Sequence, residues 1–304
     1  MHESPLVQLN IAMQNERKID LETDDGVRIS ATHFIGNERS QNLILIAPAA
    51  GAPQKYYRKF AEFATGNFDF DAITFDYRGI GNSQLYSIKE DTCTMSEWGD
   101  QDLKTVIEWA DEKYQKIFLL GHSVAGQIFP KASNSERISA AYFVGSQTAY
   151  HGHWGGLPWI YVMIFWYILL PLTTRIYGYL PGWTLGGNVN IPKQVALEWR
   201  KWGRHPQGVL QGKKEMKNSF DRIRIPIHFV NIKDDKILAP VGATRELMHY
   251  YTNAVTSFQY IRPKDLHIKK LGHFGFFASK HQEKLWSMPI LYFTQFVRKL
   301  DKSA

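Results

Sequence analysis

The chain has 304 residues, 44% hydrophobic and 21% charged, with a formal net charge of +7. This balance suits one large globular domain with room for an inserted subdomain, and it excludes disordered and collagen-like classes. A single cysteine, Cys93, excludes an intramolecular disulfide framework and fits a reducing compartment.

Met1 to Pro5 opens no apolar core behind basic residues, so a cytoplasmic protein without a secretory signal is expected. Residues 19 to 34 give two short strand-like segments, with Asp24-Asp25-Gly26 between them as a hairpin turn. Asn42 to Ala47 reads as a strand buried on both faces, ended by Pro48-Ala49-Ala50-Gly51-Ala52-Pro53. Tyr57, Phe60, Ala61 and Ala64 follow at helical spacing. A second buried strand is expected at Asp71 to Phe75, leading into the turn-rich segment Asp76 to Ser83. Thr94 and Glu97 have the spacing of a capping box, and the helix they open sets Leu103, Val106, Ile107 and Ala110 on one face. Lys116 to Leu120 is a third buried strand, and Ile138 to Gly145 reads as another.

The pattern changes between residues 147 and 220. Pro158 to Pro171 is intensely apolar and aromatic, and Ala196 to Arg204 is amphipathic and basic. This stretch is expected to be an inserted helical cap between core segments 19–146 and 221–301. Strand character resumes at Ile225 to Asn231, with Asp234 and Asp235 just beyond. A helix at Gly242 to Tyr251, a strand at Phe258 to Ile261 and a loop at His267 to Phe277 follow. A last helix starts near Ser287, with Phe293, Phe296, Val297 and Leu300 inward. Strands alternating with helices predict an α/β fold with a mostly parallel central sheet covered on both faces. Ligands of such sheets bind beyond the carboxyl ends of the strands, where the loops at 48–53, 76–83 and 121–126 converge.

The stretch Gly121-His122-Ser123-Val124-Ala125-Gly126 carries the chemistry. An apolar strand ending in glycine, with serine two residues on and small residues behind it, has the form of a nucleophile elbow. Ala125 stands where that pattern has its second glycine. A serine hydroxyl needs a base to take its proton, and the base needs a partner to fix its tautomer. Asp234 or Asp235, then His273, supply both after the strands that follow, in the chain order expected of this arrangement.

These segments resemble the α/β-hydrolase superfamily over nearly the whole span from residue 20 to 300. The likeness rests on Ala47-Pro48-Ala49-Ala50-Gly51, Asp76 to Ser83, the Ser123 elbow, Asp234 to Pro240, and Leu271 to Phe277. Within the superfamily the chain looks most like the serine-aminopeptidase and monoglyceride-lipase-like branch of bacterial proteins. The resemblance implies Ser123 as nucleophile, His273 as base and Asp235 as acid, with Asp234 the alternative. It implies an oxyanion hole from the N–H groups of Val124 and Ala52. It also implies a carboxylic ester or thioester substrate with an apolar acyl group, small or lipid-like; peptide or amide hydrolysis of the serine-aminopeptidase type, or a non-catalytic binding role, are the alternatives.

No cofactor, metal or nucleic-acid partner is expected. His151 and His153 form a His-x-His pair whose spacing suggests no third ligand, so a cap-lining or surface role is expected. His122 is expected to pack or hydrogen-bond beneath the elbow, and the Asp76–Ser83 segment to be structural, with Arg78 paired to a carboxylate. The run from Pro158 to Pro171 is shorter than the roughly 18–20 residues a membrane span needs. It is expected to be cap core, or an apolar wall, with Phe165 and Trp166 the pocket candidates, that also touches a membrane surface.

Overall fold

In the computed structural model, residues 16–36 and 40–297 are described. Strand β1 (Glu16–Glu22) pairs antiparallel with β2 (Arg28–Phe34) across the expected turn, where Gly26 takes a φ of 77°. Apolar runs supply β3 (Asn42–Ala47), β4 (Asp71–Phe75), β5 (Lys116–His122) and β6 (Ile138–Val144). A short hairpin, β7 (Tyr179–Leu180) with β8 (Ile191–Pro192), stands apart from the main sheet. The sheet is completed by β9 (Pro226–Ile232) and β10 (Val255–Ile261). Its eight strands run in the order β1-β2-β4-β3-β5-β6-β9-β10; β1, β2 and β4 join antiparallel and the other contacts are parallel. The expected α/β architecture is therefore present.

Strand periodicity divides the core into two layers. Leu43, Leu45, Phe75, Leu119, Phe143 and Phe229 face one layer, with the helix Lys104–Asp111 against it. Ile44, Ile46, Phe118, Leu120, Tyr142 and Val230 face the other, with the helices Arg58–Asn67 and Ser287–Val297. Phe293 of the last helix is buried and Phe296 and Val297 half-buried, whereas Leu300 lies outside the described residues. The capping box forms: the Glu97 carboxylate accepts the Thr94 N–H at 2.6 Å, and the Thr94 hydroxyl accepts the Glu97 N–H at 3.4 Å. Arg78 is buried and donates to Asp102 at 2.6 Å and to Asp25 at 2.7 Å, so the Asp76–Ser83 return is tied to the sheet by a charged network.

Strands β6 and β9 are sheet neighbours, and everything between them in sequence leaves the sheet and returns. Within that excursion the helical run Gly156–Tyr177 spans 22 residues and contains an 18-residue stretch with a mean hydropathy of 1.6, long and apolar enough to cross a membrane by length and composition. The expectation of a run too short to span is corrected. Pro158 lies in the first turn, where an N–H has no intrahelical partner. The helix widens over Phe165–Leu169 just before Pro171, accommodating the missing donor, so neither proline ends it. The helix Lys214–Arg222 runs through the expected boundary at residue 220, with Phe220 packed on Tyr250 and Tyr251.

Candidate active site

Ser123 sits at the end of β5 with a φ of 55°, left-handed backbone that a non-glycine residue rarely adopts. Its N–H donates to the Val144 carbonyl at 2.9 Å, which holds the turn against β6. The close approach of strand and helix depends on two glycines. A Cβ on Gly121 would stand 2.5 Å from the Phe143 ring, and one on Gly126 would stand 2.7 Å from the Ser146 side chain. Ala125, the departure from the glycine pattern, is accommodated fully buried.

Two aspartates follow β9 and do different things. Asp235 places Oδ2 2.5 Å from Nδ1 of His273, while Oδ1 accepts the Leu238 and Ala239 N–H groups at 3.3 and 3.2 Å. Asp234 turns the other way and accepts the Leu271 and Gly272 N–H groups, each at 2.9 Å. The first carboxylate thus orients the imidazole, and the second clamps the backbone of the loop that carries it. Gly145, with a φ of 64°, lies under the ring: a Cβ there would stand 3.2 Å from Cε1 of His273.

His122 is fully buried beneath this group. Its Nε2 lies 3.1 Å from the His273 carbonyl, which can only accept, so Nε2 carries the proton. Nδ1 is then an acceptor and takes the Tyr57 hydroxyl proton at 2.7 Å, while the same hydroxyl oxygen accepts the Ala49 N–H at 2.9 Å. Burial, reinforced by the neighbouring His273, pushes the His122 imidazole well below 6.5, so the ring is neutral. One continuous chain of bonds therefore joins the loop after β3, the residue before Ser123 and the His273 loop.

The loop after β3 corrects one expectation. The Ala52 N–H is taken up in a turn, donating to the Ala49 carbonyl at 3.1 Å, and the Ala49 N–H is taken by Tyr57. Ala50 is the residue of this loop that lines the Ser123 cavity. The candidate for a second donor therefore moves from Ala52 to Ala50.

Ser123 and His273, each about 8% exposed, open onto one cavity of about 20 Å³, walled by Ala50, Gln147, Leu185, Trp199, Leu238 and Phe274. That is room for about one water. Phe165 and Trp166 do not reach it. They line a second cavity, of about 30 Å³, with Tyr161 and Val162, and the two share Gln147, Leu185, Trp199 and Leu238 as common walls. Trp166 is wedged edge-on to Trp199 at 5.0 Å, over Gly203, where a Cβ would meet its ring at 2.3 Å. His153 bonds the Thr148 hydroxyl at 2.6 Å, and His151 lies 3.4 Å from the Tyr167 hydroxyl. Among the described residues no group of three or more His, Cys, Asp or Glu is arranged to hold a metal. The Cys93 thiol is buried against Arg78, and burial raises its pKa.

Sequence reasoning gave Gly145, Tyr57, Gln147, Leu185 and Trp199 no part in the site. Each belongs to the site through contacts between distant segments, and none lies in a motif.

No family model matches the chain, and no curated protein does. Solved structures do. An esterase of Pyrococcus furiosus superposes with a TM-score of 0.60 at 14% identity, over 93% of this chain and 91% of that one. A soluble variant of the monoglyceride lipase of Saccharomyces cerevisiae, in complex with a substrate analogue, gives 0.63 at 14% identity, over 91% and 94%. A thermophilic esterase of Thermogutta terrifontis gives 0.56 at 14% identity, over 92% and 99%. The chain has the α/β-hydrolase fold.

Proposed function

We propose that this α/β-hydrolase-fold chain is a serine hydrolase that cleaves an ester through an acyl-enzyme on Ser123. The observation that carries the reading is the arrangement of three side chains from separate loops. Ser123 stands on a left-handed turn and shares one cavity with His273, and the Nδ1 of His273 lies 2.5 Å from the buried Asp235 carboxylate. The names of the structural neighbours, esterases and a monoglyceride lipase, lean the same way.

In this reading Asp235 keeps the His273 proton on Nδ1 and leaves Nε2 as the base. Nε2 takes the proton of Ser123 as Oγ bonds to the substrate carbonyl carbon. The carbonyl oxygen becomes an oxyanion that accepts from the Val124 and Ala50 N–H groups. Collapse of the tetrahedral intermediate breaks the bond to the alcohol or thiol, which leaves with the proton from Nε2. Water then attacks the acyl-enzyme, again deprotonated by His273, and restores Ser123 while releasing the acid. The cavity walls, Leu185, Trp199 and Leu238, favour an apolar acyl group.

Labelling by a fluorophosphonate probe tests this. The wild type is expected to label and Ser123→Ala not, with ester turnover lost roughly 10⁴-fold in Ser123→Ala and in His273→Ala. Absence of labelling in a folded wild type would identify a fold kept for binding alone.

A further inference from the structure

The helical run Gly156–Tyr177 has two apolar faces. The inward one, with Val162, Phe165, Trp166 and Leu170, is buried in the same core layer as the sheet. The outward one exposes Leu157, Ile160, Ile164, Ile168, Leu172 and Ile176, a ridge stepping by three or four residues; Leu157 is 81% exposed and Ile176 65%. Such a face exceeds the scattered apolar exposure of an ordinary soluble surface.

From Leu157 to Leu172 the sequence holds no charged or amide side chain. A protein partner is ordinarily met with about one hydrogen bond per 100–200 Å² and a polar rim, which this face does not offer. A lipid surface requires neither. Trp159, Tyr167 and Tyr177 are exposed along the flanks, the side chains that settle at headgroup depth. The neighbouring charge is cationic. Arg175 is on the helix, Arg204 lies over the Tyr167 ring at 4.7 Å, and Arg200 donates to the Trp166 carbonyl at 2.7 Å. The only carboxylate between residues 150 and 210, Glu198, is turned inward to Ser96. A spanning orientation would tear the buried face from the core, and the chain on both sides of the helix enters one sheet at β6 and β9. The helix can therefore only lie in the plane of a membrane, along about 33 Å of its length.

We propose that the outward face of the Gly156–Tyr177 helix docks on the surface of an anionic lipid bilayer. This inference rests on the exposed face and its charges and stands apart from the catalytic reading. The inward face of the same helix walls the second cavity, which shares Gln147, Leu185, Trp199 and Leu238 with the Ser123 cavity, so a docked molecule has bilayer and cavity on opposite sides of one helix.

Flotation of the full chain with vesicles decides it. The wild type is expected to float with vesicles containing phosphatidylglycerol, several-fold less with phosphatidylcholine alone, and less again in high salt. Ile164→Glu with Ile168→Glu, both at exposed positions, should cut partitioning by at least about tenfold with an unchanged melting temperature. Arg175→Glu should weaken binding to the anionic vesicles only. Failure of the wild type to float with either vesicle overturns the proposal, as does equal flotation of the double variant. Concentration-dependent self-association without flotation, abolished in the double variant, would instead assign the face to a second copy. Since none of these measurements reads turnover, their failure is distinct from failure of the catalytic reading.

Discussion

His122 and His273 are joined through the backbone: Nε2 of the first donates to the carbonyl of the second at 3.1 Å. The residue before the elbow thereby supports the loop that carries the candidate base, and its neutral state belongs to the folded protein. In the unfolded chain an imidazole takes a proton below about 6.5, whereas burial keeps His122 unprotonated well below that. The unfolded state binds more protons there, so the stability contributed is complete above about pH 6.5 and lost as pH falls, at up to about 1.4 kcal/mol per unit. His122→Gln keeps a donor and an acceptor without the titration. Urea unfolding at about pH 8 and about pH 5 should show the wild type losing more stability than the variant. Equal losses would place the acid sensitivity elsewhere.

The two aspartates after β9 should separate in kinetics. Asp235→Asn removes the carboxylate that orients His273 and should lower kcat by about 10³–10⁴-fold with little loss of stability. Asp234→Asn loosens the Leu271–Gly272 backbone and should cost about 1–3 kcal/mol of stability with a smaller loss of kcat. Turnover and urea titration of both variants check the pair of effects. A larger kcat loss in Asp234→Asn would exchange the two roles.

Acyl length is the third measurable quantity. Each methylene buried along the Leu185, Trp199 and Leu238 wall contributes up to about 0.8 kcal/mol, so kcat/KM on p-nitrophenyl esters should rise roughly two- to fourfold per carbon until the space is full. Phe165 lines the second cavity, and Phe165→Ala should flatten the slope of log kcat/KM against chain length more than it lowers acetate turnover. A slope equal to that of wild type would leave Phe165 as packing alone.

The strands of the main sheet could be read from sequence because apolar runs such as Asn42–Ala47 and Asp71–Phe75 are buried on both faces and need no partner to be recognised. The three loops bearing Ser123, Asp235 and His273 follow from strand ends for the same reason. What escaped depends on hydrogen bonds between distant segments. Ala50 and Ala52 cannot be told apart as donors until the turn back to the Ala49 carbonyl and the Tyr57 hydroxyl are in place. Gly145 reads as an ordinary strand-end glycine until His273 is seen lying over it. The prolines that delimit the aromatic run in sequence do not delimit it in space, because one falls in a first turn and the other behind a widened one.

The pairing of β6 with β9 also sets a timetable. Ser123 and its strained turn belong to strands complete before residue 145, but Ala141, already paired with Leu119 on one side, meets its partner on the other side only at Ile227, and Asp235 and His273 come later still. A ribosome has extruded the whole excursion before the sheet can close, and pairing across such a sequence distance is slow. In the proposed reading, the growing chain therefore carries Ser123 long before Asp235 and His273, the groups that would activate it, have been made.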